Sequence, residues 1–150
     1  METSDLEPEV SVDGFAYRWR GPLTDAEMVS LVRAHGGRAV QGWWDQIRPQ
    51  SLGWVTARAG HGTVIGFVNV AWDGGDHAFL LDPKTHGAFE RRGIGTRLVE
   101  LAARHAKAAG CEWLHVDFDP ELEPFYFDAC GFRPTPAGLI HLPSLGDSQT

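Results

Sequence analysis

The stretch Phe89-Glu90-Arg91-Arg92-Gly93-Ile94-Gly95-Thr96-Arg97-Leu98-Val99 decides how this chain is read. A strand-like apolar run, Ala78-Phe79-Leu80-Leu81, precedes it. Ile94, Leu98, Leu101, Ala102, His105 and Ala109 follow near spacings of three and four. The pattern predicts a strand, a glycine-bearing turn and a helix of roughly five turns that stops at Gly110. A helix start leaves about four backbone N–H groups unpaired and carries roughly half a positive charge. Gly93 and Gly95 present bare backbone there, and Arg91, Arg92 and Arg97 add positive charge. Chemically this is a phosphate cradle. It is not the ATP-binding P-loop, because no Lys-Ser/Thr pair follows the second glycine. It also lacks the third glycine and downstream acidic residue of a dinucleotide fingerprint. Taken alone, the pattern is also that of a glycine-eased corner between strand and helix.

Further along, Glu112-Trp113-Leu114-His115-Val116-Asp117 reads as a strand, Glu121 to Cys130 as a short helix, and Gly131-Phe132-Arg133-Pro134 as its exit. Here the chain resembles the GCN5-related N-acetyltransferase (GNAT) superfamily. Glu90 to Gly95 matches its Gln/Arg-x-x-Gly-x-Gly/Ala hallmark, and Phe125-Tyr126-Phe127-Asp128-Ala129-Cys130-Gly131-Phe132 matches its aromatic helix ending in Gly-Phe. The resemblance covers roughly residues 64–142. It implies an α+β, three-layer αβα fold with a mixed, mostly antiparallel sheet of six to seven strands and about four helices. It also implies a splay between the fourth and fifth strands. The implied reaction moves acetyl from acetyl-CoA, as cosubstrate and without a metal, to an amine. Three residues depart from the family pattern. Glu90 replaces Gln or Arg, Pro120 replaces a frequent Asn, and Phe127 stands where a catalytic tyrosine is frequent, with Tyr126 one place earlier.

The resemblance assigns CoA binding to the backbone of Arg91, Arg92, Gly93, Ile94, Gly95 and Thr96. Leu80, Leu81 and Asp82 are expected to line the pantetheine, with a backbone N–H near Leu81 facing the oxyanion. Tyr126 is the candidate acid if the short helix shifts by about one residue; otherwise it packs and Phe127 faces the sulfur. Candidates for the base are Asp82, Asp117, Asp119 and His115, with His77 as an alternative, and an ordered water serves equally. Asp119 is otherwise an acceptor contact or a helix cap. Trp43 and Trp44 cannot share one helix face, so one is expected to meet something other than the core, as an aromatic wall for a cationic acceptor or as a surface or dimer contact.

The chain before the cradle reads as a strand from Val12 to Arg20, then a helix opened by the Thr24/Glu27 capping box and closed near Gly36-Gly37. A short helix or loop ends at Pro49. A hairpin follows, Leu52–Arg58 with Val64–Trp72, and then a strand from His77 to Asp82, with Pro83 marking its end or a bulge. With 150 residues and 43% hydrophobic content the chain is expected to be one domain over 1–150, with tails at 1–10 and 144–150. No apolar run reaches eighteen residues and the acidic start lacks a leader pattern, so a cytoplasmic location without membrane contact is expected. Cys111 and Cys130 are too few for a disulfide framework, and a zinc site on Cys111 and His115 lacks further ligands. A net charge of −7 argues against nucleic acid and for a small cationic amine as acceptor. The readings in competition are a protein N-terminal or lysine acetyltransferase and a catalytically silent CoA-binding module. Exposed aromatics also leave room for a homodimer.

Overall fold

The structure is a computed structural model that describes residues 9–146. Six strands form one sheet in chain order: β1 (Val10–Val12), β2 (Phe15–Trp19), β3 (Ser51–Arg58), β4 (Val64–Trp72), β5 (His77–Thr85) and β6 (Trp113–His115). Neighbours are antiparallel as far as β5, and β6 joins β5 in parallel. Helices α1 (Asp25–His35) and α2 (Trp43–Ile47) belong to one face, and α3 (Ile94–Ala108) to the other. A π-helical turn spans Pro124–Ala129. This is the mixed α+β architecture expected from the sequence.

The first strand differs from its expected form. Asp13 and Gly14, with φ of 53° and 84°, make a two-residue turn, so residues 10–19 form a hairpin rather than one strand. Positive φ at both central positions matches the right-handed twist of the flanking strands. Val10, assigned to the tail by the sequence, therefore pairs with Tyr17. The remaining tail residues at 1–8 and 147–150 lie outside the described residues.

At α1 the capping box forms as expected. Thr24 Oγ1 accepts from the Glu27 N–H and Glu27 Oε1 accepts from the Thr24 N–H, each at 3.0 Å. Gly36, at φ 97°, ends the helix. Asp25 reaches across to the start of α2, accepting from the Gly42 N–H at 2.8 Å and the Trp44 N–H at 3.2 Å. A five-residue helix cannot hold itself, and this carboxylate supplies the missing cap.

On the other face α3 packs Ile94, Leu98, Ala102 and Ala106 over Val68, Val70, Ala78 and Leu80. The helix lies so close that a Cβ on Gly66 would meet Ile94 Cγ2 at 3.0 Å. Trp19 lies flat across Gly53, where a Cβ would stand 2.1 Å from its ring, and stacks on His105 at 4.6 Å.

Strand β5 does not end at Asp82. Asn69 pairs with Leu81 and Phe67 with Lys84, so Asp82 and Pro83 together oppose Val68 in a bulge and the strand continues to Thr85. A bulge tolerates proline because its extra residue is already unpaired. Strand β6 is shorter than expected, three residues instead of six, and its pairing stops at Phe79↔His115. Beyond that point β5 runs on without β6. The expected helix over 121–130 becomes a 3₁₀ turn at Pro120–Leu122 and the π-helical turn. Pro124 brings no N–H to continue the first turn. The Cys130 N–H bonds the Phe125 carbonyl at 2.9 Å, five residues back. Among the described residues no seventh strand follows.

Candidate functional site

The cradle sits at the start of α3. Gly93 is the N-cap with φ 78°, and no side chain caps this end. The first helical bond there runs from the Arg97 N–H to the Gly93 carbonyl, at 3.2 Å. The N–H groups of the first turn therefore have no helical acceptor. A Cβ on Gly93 would meet nothing within 4 Å, so the approach is open. Arg91 also takes a left-handed conformation, φ 64°, and Arg92 lays its guanidinium 5.3 Å from the Phe89 ring. Both arginines and Glu90 are exposed. A diphosphate fits this end: open N–H groups, a positive dipole and two cations outweigh one carboxylate.

Gly95 has a packing role that the sequence did not show. A Cβ there would press on the Phe125 ring at 3.1 Å, so the missing side chain admits the π-helical turn to the helix, while the Gly95 N–H stays in the first turn of α3. Ile94 is buried in the core, leaving only its backbone to the cradle.

The cradle opens into a cavity of about 1890 Å³ whose lining includes Arg92, Gly93, Thr96, His115, Asp117 and Phe127. His77 and Phe79 also line it. Five of the proposed residues thus meet in one space: Arg92, Gly93, Thr96, His115 and Asp117. His115 is the last residue of β6 and pairs with Phe79 of β5. Its ring stacks on Phe79 at 4.7 Å, and its Nε2 lies 2.8 Å from His77 Nδ1. Asp73 accepts the backbone N–H groups of Gly75 and His77, which lower its pKa.

Two residues proposed from the sequence are placed in the packing instead. Tyr126 is 3% exposed, with its ring stacked on Phe118 at 4.5 Å and edge-on to Phe125 and Phe132. Burial raises its pKa, and Cys130 and Asp117 add to the rise. Phe127 takes the cavity wall that an acid would need. The wide π turn shifts the register, but it turns the phenol inward. Trp44 is 0% exposed, donates its indole N–H to the Leu23 carbonyl at 3.1 Å, and contacts Trp54 and Phe67 edge-on. Its partner Trp43 stays half-buried, yet its ring already faces a cation of this chain, the Lys84 ammonium at 5.3 Å.

Lys84 escaped the sequence reading because β5 was ended at Asp82. Its ammonium also lies 5.3 Å from the Phe67 ring and donates to the Asp82 carbonyl at 3.0 Å. Burial lowers its pKa, against the opposing pull of Asp82. Asp82, at φ 56° in the bulge, has an open surface, but crowding desolvates its carboxyl and raises its pKa while Lys84 pulls the other way. Leu80 is buried under α3 and Leu81 points to the opposite, open face. Asp119 is exposed, precedes the turn at Pro120–Leu122, and makes no side-chain cap there. Among the described residues no cluster of three His, Cys, Asp or Glu is placed to hold a metal. No helix among them is long and apolar enough to cross a membrane.

Comparison with solved structures finds the same fold repeatedly. A GNAT family acetyltransferase from Streptococcus pneumoniae superposes with a TM-score of 0.71 at 20% identity, covering 84% of this chain and 96% of that one. AAC(6')-Iy, solved with the bisubstrate analogue CoA-S-monomethyl-acetylneamine, gives 0.67 at 20% identity, with 85% and 96% covered. Glucosamine-6-phosphate N-acetyltransferase from Arabidopsis thaliana gives 0.66 at 17% identity, with 83% and 96% covered. No curated protein matches the sequence. The profile of the acetyltransferase (GNAT) family matches residues 18–132, which span every strand from β3 to β6, all three α-helices and the cradle. The chain belongs to the GNAT acetyltransferase family.

Proposed function

We propose that this protein is an acetyl-CoA-dependent N-acetyltransferase acting on the amine of a small cationic acceptor. The observation that carries the reading is the uncapped start of α3, flanked by Arg91 and Arg92 and following a strand whose pairing with β6 stops at Phe79. Bound acetyl-CoA would supply an acetyl thioester. The backbone N–H groups from Arg91 to Thr96 bind and orient its diphosphate, with Arg91 and Arg92 adding charge. The freed edge of β5, including Leu80, Leu81 and Asp82, runs alongside the pantetheine.

His115, at the end of β6, takes the amine's proton. Asp117 and Asp119 hold the ammonium form electrostatically as it approaches. Phe79 and Leu81 form an apolar floor that keeps water from the reacting amine. Tyr126 holds the π turn against Phe118, and protonation of the leaving sulfur falls to solvent. Trp43, with Lys84 on its face, bounds the far side of the acceptor site, while Trp44 supports it from the core.

A protein N-terminus or lysine is a second acceptor class, favoured by one feature. The face carrying Phe79, Leu81 and Trp113 is open, with these side chains 39%, 37% and 47% exposed. The acidic rim and small size favour the small amine.

The test is thermal unfolding with and without acetyl-CoA, followed by thiol release against an amine panel. At about a hundredfold over its dissociation constant, acetyl-CoA stabilises by roughly 2.7 kcal/mol, a rise on the order of 5–10 °C. CoA reproduces the rise, whereas NAD and ATP do not, and Gly93→Val abolishes it. Absence of a shift at millimolar acetyl-CoA refutes the reading. A full shift with no amine acetylated leaves the silent CoA-binding module.

A further inference from the structure

We infer that His77 and His115 work as a pair, with His115 as the group that takes the acceptor's proton and His77 as the positioning residue that fixes its tautomer and passes the proton to solvent. This rests on the transferase reading of the same site. His77 Nδ1 and His115 Nε2 are 2.8 Å apart, a distance that holds one proton between the two nitrogens and not two. The other nitrogen of each ring is left outside the bond. His115 is fixed further by stacking on Phe79, 16° from parallel, and its ring borders the cavity that holds Arg92 and Thr96 of the cradle. His77 is placed by the strand register that pairs it with Trp113, and its backbone N–H is tied to Asp73 at 3.2 Å.

Only one arrangement of the shared proton leaves His115 ready. With the proton on His115 Nε2 and pointing at His77, His115 Nδ1 carries a lone pair. It then accepts the proton from the attacking amine. The Nε2 proton crosses to His77 Nδ1, and the His77 Nε2 proton leaves to water, so one proton enters the pair and one departs; the pair is restored when His115 Nδ1 gives its proton to solvent, the shared proton returns to His115 Nε2 and water reprotonates His77 Nε2. In the same turnover an N–C bond replaces a C–S bond, the electron pair leaves on sulfur, and that sulfur is protonated from solvent. With the shared proton on His77 instead, His115 Nδ1 carries hydrogen and accepts nothing.

Charge around the pair favours export through His77. The Asp73 carboxylate is close enough to feel the His77 charge electrostatically, and Asp76 lies in the same turn. Glu112 precedes β6 and Asp117 follows it. Arg133, which lies over the Trp113 ring at 5.4 Å, lines the same cavity, as do Arg92, Arg97 and Arg104 on the side of α3.

The experiment combines histidine NMR titration with the pH dependence of acetylation, for the wild type, His77→Asn and His115→Gln. Asparagine places an amide near the former Nδ1, preserving a hydrogen bond while ending proton transfer. Circular dichroism and acetyl-CoA affinity, both unchanged, show that each variant folds and binds. The expected result is that His77 and His115 take up their first proton together in the wild type, and that His77→Asn moves the His115 midpoint. It also lowers kcat about tenfold and displaces the acid limb of the pH profile, with KM nearly unchanged, while His115→Gln lowers kcat/KM about a hundredfold. A His115 titration unmoved by His77→Asn overturns the pair. So does a coupled titration with an unaltered pH profile of acetylation. If acetyl-CoA binds but no amine is acetylated by the wild type, the transferase reading fails and the catalytic role of the pair falls with it. The titration then reports separately whether the rings share a proton.

Discussion

The two faces of β5 come from one strand and meet opposite surroundings. Ala78 and Leu80 point under α3 and are almost fully buried, whereas Phe79 and Leu81 point the other way and are over a third exposed. Helices α1 and α2 cover the second face only at the far end of the strand, where His35 meets the Thr85 carbonyl at 2.9 Å and Trp43 meets Lys84. The covered face fixes the register, because a slip of one residue would expose Ala78 and Leu80 and bury Phe79. The open face thereby gains positioned side chains without being packed. A site can be held rigid from behind.

Substitutions on the two faces should therefore differ in what they damage. The largest expected loss of stability is at Leu98, whose side chain is buried against the covered face. Leu98→Ala should cost roughly 3 kcal/mol, a fall of about 10 °C in Tm. Phe79→Ala should cost less than about 1 kcal/mol by area lost, yet reduce acetylation at least tenfold. Equal losses in urea unfolding would break the comparison. Gly53→Ala comes next at roughly 2 kcal/mol, since its methyl must displace the Trp19 ring that stacks on His105.

A smaller effect belongs to the Arg58–Glu27 pair, whose closest contact is 2.7 Å and whose side chains are 25% and 35% exposed. Arg58 lowers the Glu27 pKa chiefly by hydrogen bonding. The folded value lies below the unfolded one, so the stabilisation is complete above the unfolded pKa and is lost as pH falls through the folded one. Glu27→Gln should cost about 1 kcal/mol near neutrality once solvent screening is counted. The difference from wild type should close in acid, as followed by thermal melts across pH. The smallest effect is expected at Tyr126→Phe. The Tyr126 ring is held by packing against Phe118, Phe125 and Phe132, contacts that phenylalanine keeps, so loss of the hydroxyl should change stability by less than about 0.5 kcal/mol and acetylation by less than about threefold. A hundredfold loss would return Tyr126 to the role of acid.

The capping box, the hairpin of β3 and β4, the strand before the cradle and the start of α3 were all legible in the sequence. Each depends on contacts between residues close in the chain, where spacing and turn chemistry are enough. The β1–β2 hairpin was legible in principle from Asp13-Gly14, a dipeptide suited to a two-residue turn. The bulge at Asp82 and Pro83 was not, because it depends on the opposing register of β4. The site divides in the same way. Arg91, Arg92 and Gly93 announce the cradle within a few residues of sequence, whereas the role of Gly95 depends on where Phe125 arrives thirty positions later.

By itself the sequence determined the order of elements, the glycine-bearing helix start and the family, since these are written in local periodicity and a short motif. Only the tertiary structure decided which aromatics enter the core and which stay nearer the surface. Trp43 and Trp44 are neighbours in the chain, as are Tyr126 and Phe127, and in each pair composition is almost silent about which one turns inward. Packing against Leu23, Trp54 and Phe67 settles the first pair, and packing against Phe118 and Phe132 the second. Tertiary structure alone also joined His77 to His115, thirty-eight positions apart. Side-chain direction is a property of the surroundings a residue folds into, and those surroundings come from distant parts of the chain.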